Sequence, residues 1–288
     1  MMTKVFKFGG ASVKDADHIN QLKKILNSYS DVKLLVVISA IGKTTNALES
    51  VFRDIYDTDH DVSTLFNPII KDHLAIAKNL GLDQESLKSE LESMVNELEG
   101  KLDSENLRFK DLVYDQVVSM GELFSTLLIT RFLQQERNDV SWLDVRKVFM
   151  TDQRFMDGKI QFAETQENIN QIVVPMMKDT NICITQGFIA GTSQGLTTTL
   201  GREGSDYSAA LFAYFLDVEE LNIWKDVPGI LTADPKRFEN VEKIEKMSYK
   251  EAIEMTYFGA KVIHPKTIQP IQNKGIKLKV NSFKNPSQ

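Results

Sequence analysis

The chain has 288 residues, 42% hydrophobic and 26% charged, with 34 Lys plus Arg against 40 Asp plus Glu for a formal net charge of −6. That composition is ordinary for a globular protein and large enough to bury a core unaided by disulfides or structural metal. Its acidic balance argues against a basic nucleic-acid binder.

A lone cysteine, Cys183 in the apolar run Asn181-Ile182-Cys183-Ile184, rules out an internal disulfide and a cysteine-rich zinc site, and reads as a small core residue. The histidines His18, His60, His73 and His264 are scattered and show no HExxH pairing, so a histidine-built metal site is not expected. The N-terminus enters a strand pattern directly. No signal peptide precedes it, and no apolar run approaches the roughly 18–20 residues of a membrane span, so the expectation is a soluble, cytoplasmic chain with no membrane partner.

Along the chain, Thr3 to Phe8 is a short β-branched and aromatic run that stops at Gly9-Gly10. Ser12 reads as the N-cap of a helix from about Val13 to Leu26, with Ile19, Leu22, Ile25 and Leu26 on one face. Leu34 to Ile38 is a continuous apolar strand of the kind buried on both faces of a parallel sheet, and a helix through Leu48, Val51, Phe52 and Ile55 follows. Strand, glycine turn, helix and strand make a βαβ unit. From about 65 to 133 glycine almost disappears, and the pattern is successive helices, including an amphipathic one through Leu87, Leu91, Met94, Val95 and Leu98. Alternation then resumes. Strands are predicted at 140–145, 182–185, 221–224 and 276–280, and helices at 205–215, 249–258 and 266–273. The fold class is therefore α/β, a mainly parallel sheet between helical layers with a helical insertion.

Ligands of open α/β sheets gather at the carboxyl ends of the strands, so the residues after each strand matter most. Lys7-Phe8-Gly9-Gly10 can bring backbone N–H groups and a mobile cation to an anion, or can be a tight turn beside an exposed lysine. Gly42-Lys43-Thr44 imitates a P-loop, but the glycine required five positions earlier is Val37, so the segment from Ser39 to Asn46 is a polar loop that either binds a ligand or caps the next helix. Thr197 to Asp206 is the richest segment: Arg202 can clamp a carboxylate, and Ser205 or Asp206 can begin a helix. Glu122, inside an apolar helix, reads by itself as solvent-facing, with an ammonium partner in a pocket as the alternative.

Taken in order, Lys7-Phe8-Gly9-Gly10-x-Ser12-Val13, Ser39-Ala40 with Thr45-Asn46, Gly121-Glu122, Thr198-Thr199-Leu200-Gly201-Arg202-x-Gly204-Ser205-Asp206-Tyr207, Asp226-Val227-Pro228-Gly229, Asp234-Pro235 and Phe258 to Pro265 resemble aspartate kinase over nearly the whole chain. The resemblance implies an amino-acid-kinase fold and transfer of the ATP γ-phosphoryl group to the β-carboxylate of L-aspartate, the first step of lysine, threonine and methionine biosynthesis. It assigns the catalytic positions to Lys7, Ser205 and Asp206. It assigns ATP to Lys7, Phe8, Gly9, Gly10, Lys225, Asp226, Leu231, Lys236, Lys261 and Val262. The acceptor falls to Ser39, Thr45, Glu122, Arg202 and Ser205, with Glu122 receiving the α-ammonium and Arg202 the α-carboxylate. Mg²⁺ would arrive largely on the ATP phosphates, with no dedicated protein metal site. Other enzymes of the fold, such as acetylglutamate, glutamate 5- or uridylate kinases, and a non-catalytic nucleotide-binding module are the alternatives.

The sequence departs from that pattern at Ala11 (commonly Thr), Glu203 (usually Gly), Lys225 (often Thr), Leu231 (often Tyr) and Lys236 (often Arg). Residues 1–281 read as the catalytic domain and 282–288 as the start of a linker to a regulatory domain that the sequence lacks. That implies no lysine inhibition through the family's usual site, and a homodimer weakened by the missing regulatory contacts.

Overall fold

The computed structural model describes residues 2–57, 61–227, 229–233, 238, 240–258 and 263–286. The first strand, β1 (Thr3–Phe8), leads through a 3-10 turn at Gly10–Val13 to α1 (Ala16–Asn27) and β2 (Lys33–Ile38). The helix therefore starts later than the predicted Ser12 cap. Asp15 caps it instead, its Oδ1 accepting the His18 N–H at 2.9 Å. The glycine pair makes this difference, because it lets the chain turn tightly before the helix begins.

The helical insertion comprises α2 (Thr44–Asp57), α3 (Val62–Asn79), α4 (Gln84–Glu99), α5 (Lys110–Val118) and α6 (Met120–Gln134). On α4 the predicted stripe is buried at Leu87, Leu91, Val95 and Leu98. Together α5 and α6 form one 25-residue helical stretch, Lys110–Gln134, long and apolar enough by length and composition to cross a membrane. This corrects the expectation that no run approaches that length. Scattered Gly, Ser, Thr and Glu break up the apolar run in the sequence, but 94% of its most apolar window is buried inside the protein, as befits a core helix.

The chain continues through β3 (Val140–Leu143), α7 (Phe162–Asn168), α8 (Val174–Asp179), β4 (Ile182–Gln186), a short hairpin of β5 (Ile189–Gly191) and β6 (Thr197–Thr199), α9 (Gly204–Phe215), β7 (Glu220–Lys225), α10 (Tyr249–Tyr257), α11 (Pro265–Asn273) and β8 (Lys277–Ser282). Six strands form one sheet in the order β3-β4-β2-β1-β7-β8, every neighbouring pair parallel. Helices cover both faces, which is why the apolar runs of β1, β2 and β4 are buried continuously rather than alternately. The hairpin, α7 and α8 were not anticipated. The final residues pack further than the predicted linker boundary suggests: Phe283 is buried against Phe8, and its N–H donates to Lys225 O at 2.7 Å.

Register places the site. Gln186, Ile38, Phe8, Trp224 and Asn281 lie in one row across the sheet, so the chain leaves β4, β2, β1 and β7 at the same level. The α6 helix is fixed to this edge by a buried polar knot. Thr126 Oγ1 donates to Glu122 O at 2.8 Å and accepts from Gln186 Nε2 at 2.7 Å and Trp142 Nε1 at 2.9 Å. Gln186 Oε1 in turn accepts the Val145 N–H at 2.8 Å. Thr126→Val keeps the volume but strands the buried Gln186 donor, so it is expected to lower unfolding free energy by about 1–3 kcal/mol, while Thr126→Ser stays close to the parent. Urea denaturation measures both; equal stability of the valine and serine variants would refute the role of the knot.

Candidate active site

A cavity of ≈ 490 Å³ opens at the carboxyl edge of the sheet. The turn after β1 contributes Lys7, Gly9 and Gly10; Ser39 and Thr45 come from the loop after β2 and the start of α2. Glu122 enters from α6, and Arg202, Ser205 and Asp206 from the approach to α9. These nine sequence-predicted residues, far apart in the chain, share one wall. The strand order explains the location: β1 continues to β2 on one side and its other neighbour, β7, continues to β8 on the opposite side, so the connections after β1 and β7 diverge and leave a crevice at the switch point.

The turn after β1 is compact because Gly10 lies against the next loop. A Cβ there would sit 2.5 Å from Ala40 O, and the Gly42 N–H donates to Gly10 O at 3.1 Å. Gly121 plays the matching part on α6, where a Cβ would come within 2.9 Å of the Ala40 side chain. The helix can thus approach closely enough for the Ala40 N–H to donate to Glu122 Oε1 at 3.2 Å.

One half of the cavity is organised by a buried carboxylate between two lysines. Lys7 Nζ lies 2.6 Å from Asp206 Oδ1, and Lys225 Nζ lies 3.5 Å from Oδ2, with the Asp206 side chain only 1% exposed. Burial alone would raise the Asp206 carboxyl, but the two ammonium groups outweigh it and hold it below the ordinary carboxylate range. The Lys7 ammonium stands beside the glycine turn, 3.4 Å from where a Gly9 Cβ would sit, so an anionic ligand at that turn would meet its charge.

The other half pairs the opposite requirements. Glu122 is fully enclosed, and burial pushes its carboxyl up to about 8 despite the Ala40 N–H and the Lys7 charge. Its Oε2 has no hydrogen-bond partner among the described residues. The solvent-facing reading of Glu122 is therefore corrected: the residue is 3% exposed and lines the cavity. Arg202 lines the same cavity and makes no ion pair among the described residues. Glu203 follows it with φ 56°, a left-handed backbone that costs a side-chain-bearing residue about 1–2 kcal/mol.

Of the remaining predicted positions, Phe8 is wholly buried and stacks on Trp224 with ring centroids 5.8 Å apart, so only its backbone faces the turn. Asp226 is exposed beyond β7, and the half-buried Leu231 pairs in a bridge with Lys243. Lys236, Lys261 and Val262 lie outside the described residues. Tyr114, Met156 and Phe188 also line the cavity and were missed. Phe188 was findable, since it lies two residues beyond the end of β4; nothing in the sequence points to Tyr114 or Met156. Among the described residues, no group of three or more His, Cys, Asp and Glu side chains could hold a metal ion.

Comparison with known proteins agrees with this architecture. The amino acid kinase family model matches residues 2–282. The lysine-sensitive aspartokinase 3 of Escherichia coli K12 is 36% identical over 98% of this chain, which spans 62% of that protein. Aspartokinase 2, chloroplastic, of Arabidopsis thaliana is 30% identical over 99% of this chain, which spans 53% of it. The crystal structure of E. coli aspartokinase III in complex with aspartate and ADP matches with a TM-score of 0.86 at 35% identity, covering 100% of this chain and 63% of that one. Uridylate kinase from Archaeoglobus fulgidus shares the fold alone, with a TM-score of 0.53 at 16% identity over 98% of this chain and 91% of that one. With the six-stranded parallel sheet, the glycine turn after β1 and a match over residues 2–282, the chain belongs to the amino acid kinase family.

Proposed function

We propose that the chain is an aspartate kinase that transfers the γ-phosphoryl group of ATP to the β-carboxylate of L-aspartate, giving 4-phospho-L-aspartate and ADP for amino-acid biosynthesis. The observation that carries this reading is the buried Oε2 of Glu122, without a hydrogen-bond partner among the described residues, in the same cavity as Arg202, Lys7 and Asp206, the last of which also pairs with Lys225. A buried carboxylate with a free oxygen asks for a cation, and a zwitterionic amino acid brings one next to the carboxylate that Arg202 would clamp. An acylated amine carries no such charge, which disfavours an acetylglutamate-type acceptor. The aspartate and ADP bound by E. coli aspartokinase III support the same pair of ligands.

The chemistry requires no general base. A free aspartate side chain has a pKa of about 3.9, so the attacking oxygen is already ionised at neutral pH. One lone pair forms the new O–P bond while the bond from the γ-phosphorus to the bridging oxygen breaks and ADP departs. The barrier lies in bringing two anions together, and positioned cations with backbone N–H groups lower it. Lys7 is assigned to the transferred group, with Lys225 beside it on Asp206 and Ser205 at the start of α9. Asp226 and Leu231, together with Lys236, Lys261 and Val262, are assigned to the rest of the nucleotide. Magnesium, carried on the ATP phosphates, would neutralise phosphate charge. Residues 1–281 are taken as the catalytic unit, and a cytoplasmic setting belongs to the same proposal, supported by the burial of the long apolar helix.

Acyl phosphate trapped with hydroxylamine, in the presence of MgATP and a panel of carboxylic amino acids, tests the assignment. Signal is expected with L-aspartate, abolished by Lys7→Ala and weakened through a raised aspartate KM in Arg202→Ala. Signal with acetylglutamate rather than aspartate would overturn it. A second test uses pH. Because burial pushes the Glu122 carboxyl up to about 8, the ammonium of aspartate must displace a proton below that pH. The kcat/KM for aspartate is therefore expected to rise with pH by up to about tenfold per unit below 8 and then to flatten. Glu122→Gln should remove that limb; a limb that persists in this variant would show that another group titrates.

A further inference from the structure

Asp115, on α5 beside the cavity-lining Tyr114, touches neither half of the ion-pair chemistry yet is completely buried. Its Oδ2 accepts the backbone N–H of Met156 at 2.8 Å and that of Thr199 at 2.8 Å, and its Oδ1 accepts Thr199 Oγ1 at 2.8 Å. Met156 and Thr199 both line the cavity, and Arg202 follows Thr199 by three residues.

This carboxylate completes a strand edge. On one side β6 pairs with β5, with Thr199 opposite Ile189. On its other side no strand lies among the described residues; side chains of α5 substitute for one. Gln116 Oε1 accepts the Thr197 N–H at 2.9 Å, Gln116 Nε2 donates to Thr197 O at 2.7 Å, and Asp115 takes the Thr199 N–H. The Gly158 N–H donates to Thr199 O at 2.9 Å, which joins the segment carrying Met156 to the same edge.

Backbone strain is concentrated around the same cavity. Of the four non-glycine residues with left-handed φ among the described residues, Met156 (67°), Phe188 (69°) and Glu203 (56°) line it, and Asp217 does not. Such conformations persist where surrounding contacts over-determine them. At Met156 the contact is the Asp115 carboxylate on its N–H.

We propose that Asp115 is a positioning residue for the acceptor substrate: by holding Met156 and Thr199 it sets the wall of the acceptor half and the approach of Arg202. This rests on the aspartate-kinase reading. The Lys7–Asp206–Lys225 cluster is built from β1, α9 and β7 and shares none of these hydrogen bonds. Loss of Asp115 therefore acts on aspartate and spares ATP.

The experiment compares steady-state kinetics of the whole chain, Asp115→Ala and Asp115→Asn, with thermal melts alongside. The alanine variant leaves the Met156 and Thr199 N–H groups without this acceptor, and its KM for aspartate is expected to rise by about tenfold or more while the KM for ATP stays within about twofold. The asparagine amide oxygen can accept both N–H groups while its NH₂ donates to Thr199 Oγ1, so Asp115→Asn should restore the aspartate KM to within about threefold of the parent. If Asp115→Ala does not fold, Asp115→Glu replaces it, because one added methylene displaces the acceptor and should raise the aspartate KM alone. A merely structural role predicts a lower melting temperature and a lower kcat with both KM values unchanged, and that result would overturn the inference. A parent chain that neither phosphorylates nor binds L-aspartate would instead overturn the function reading and this inference with it.

Discussion

The buried carboxylate of Asp206, clamped between Lys7 and Lys225, is the interaction on which the site depends. Ionised groups this far from water are tolerated only when charge and geometry are matched, since the desolvation of each ion amounts to several kcal/mol. Here one anion serves two cations. It fixes the direction of both ammonium groups. Three elements must meet to make the arrangement, β1 for Lys7, β7 for Lys225 and α9 for Asp206. The parallel pairing of β1 with β7 and the packing of α9 on the sheet are therefore conditions of the chemistry.

The second half of the cavity applies the same physics with opposite sign. Glu122 is buried with one oxygen satisfied by the Ala40 N–H and the other without a hydrogen-bond partner among the described residues. In the proposed reaction the ammonium of aspartate would pair with that oxygen and offset the cost of burying it. The polar knot of Thr126, Gln186 and Trp142 holds this glutamate at the sheet edge, one helical turn from the residue it serves. Cation cluster and buried acid are thus anchored by separate parts of the fold.

Much of this was legible in the sequence because the signals are local. The continuous apolar runs of β1, β2 and β4 announce a sheet covered on both faces, and Gly9-Gly10 marks the tight turn at the carboxyl end of β1. The helix start at Asp15 was misplaced because Ser12 is an equally good cap in isolation, and only the 3-10 turn decides between them. The β5–β6 hairpin escaped notice because its strands have three residues each and its threonines read as loop. Burial of Glu122 could not be foreseen either. A glutamate on an apolar helix usually finds water, and it is the close approach permitted by Gly121 that closes the space around it. Asp115, Tyr114 and Met156 carry no local signal at all, since their parts are set by contacts across more than forty positions of sequence, as the Asp115–Met156 bond shows.

The central claim, that Asp206 organises the lysines for transfer rather than merely filling a buried space, is tested most directly by the single-turnover rate of acyl phosphate formation in Asp206→Asn, with nucleotide affinity measured on the same preparation. The account predicts a rate at least about a hundredfold lower, because the ammonium groups lose their common anchor, with ADP binding changed by no more than several-fold. A variant that turns over within several-fold of the parent would contradict it.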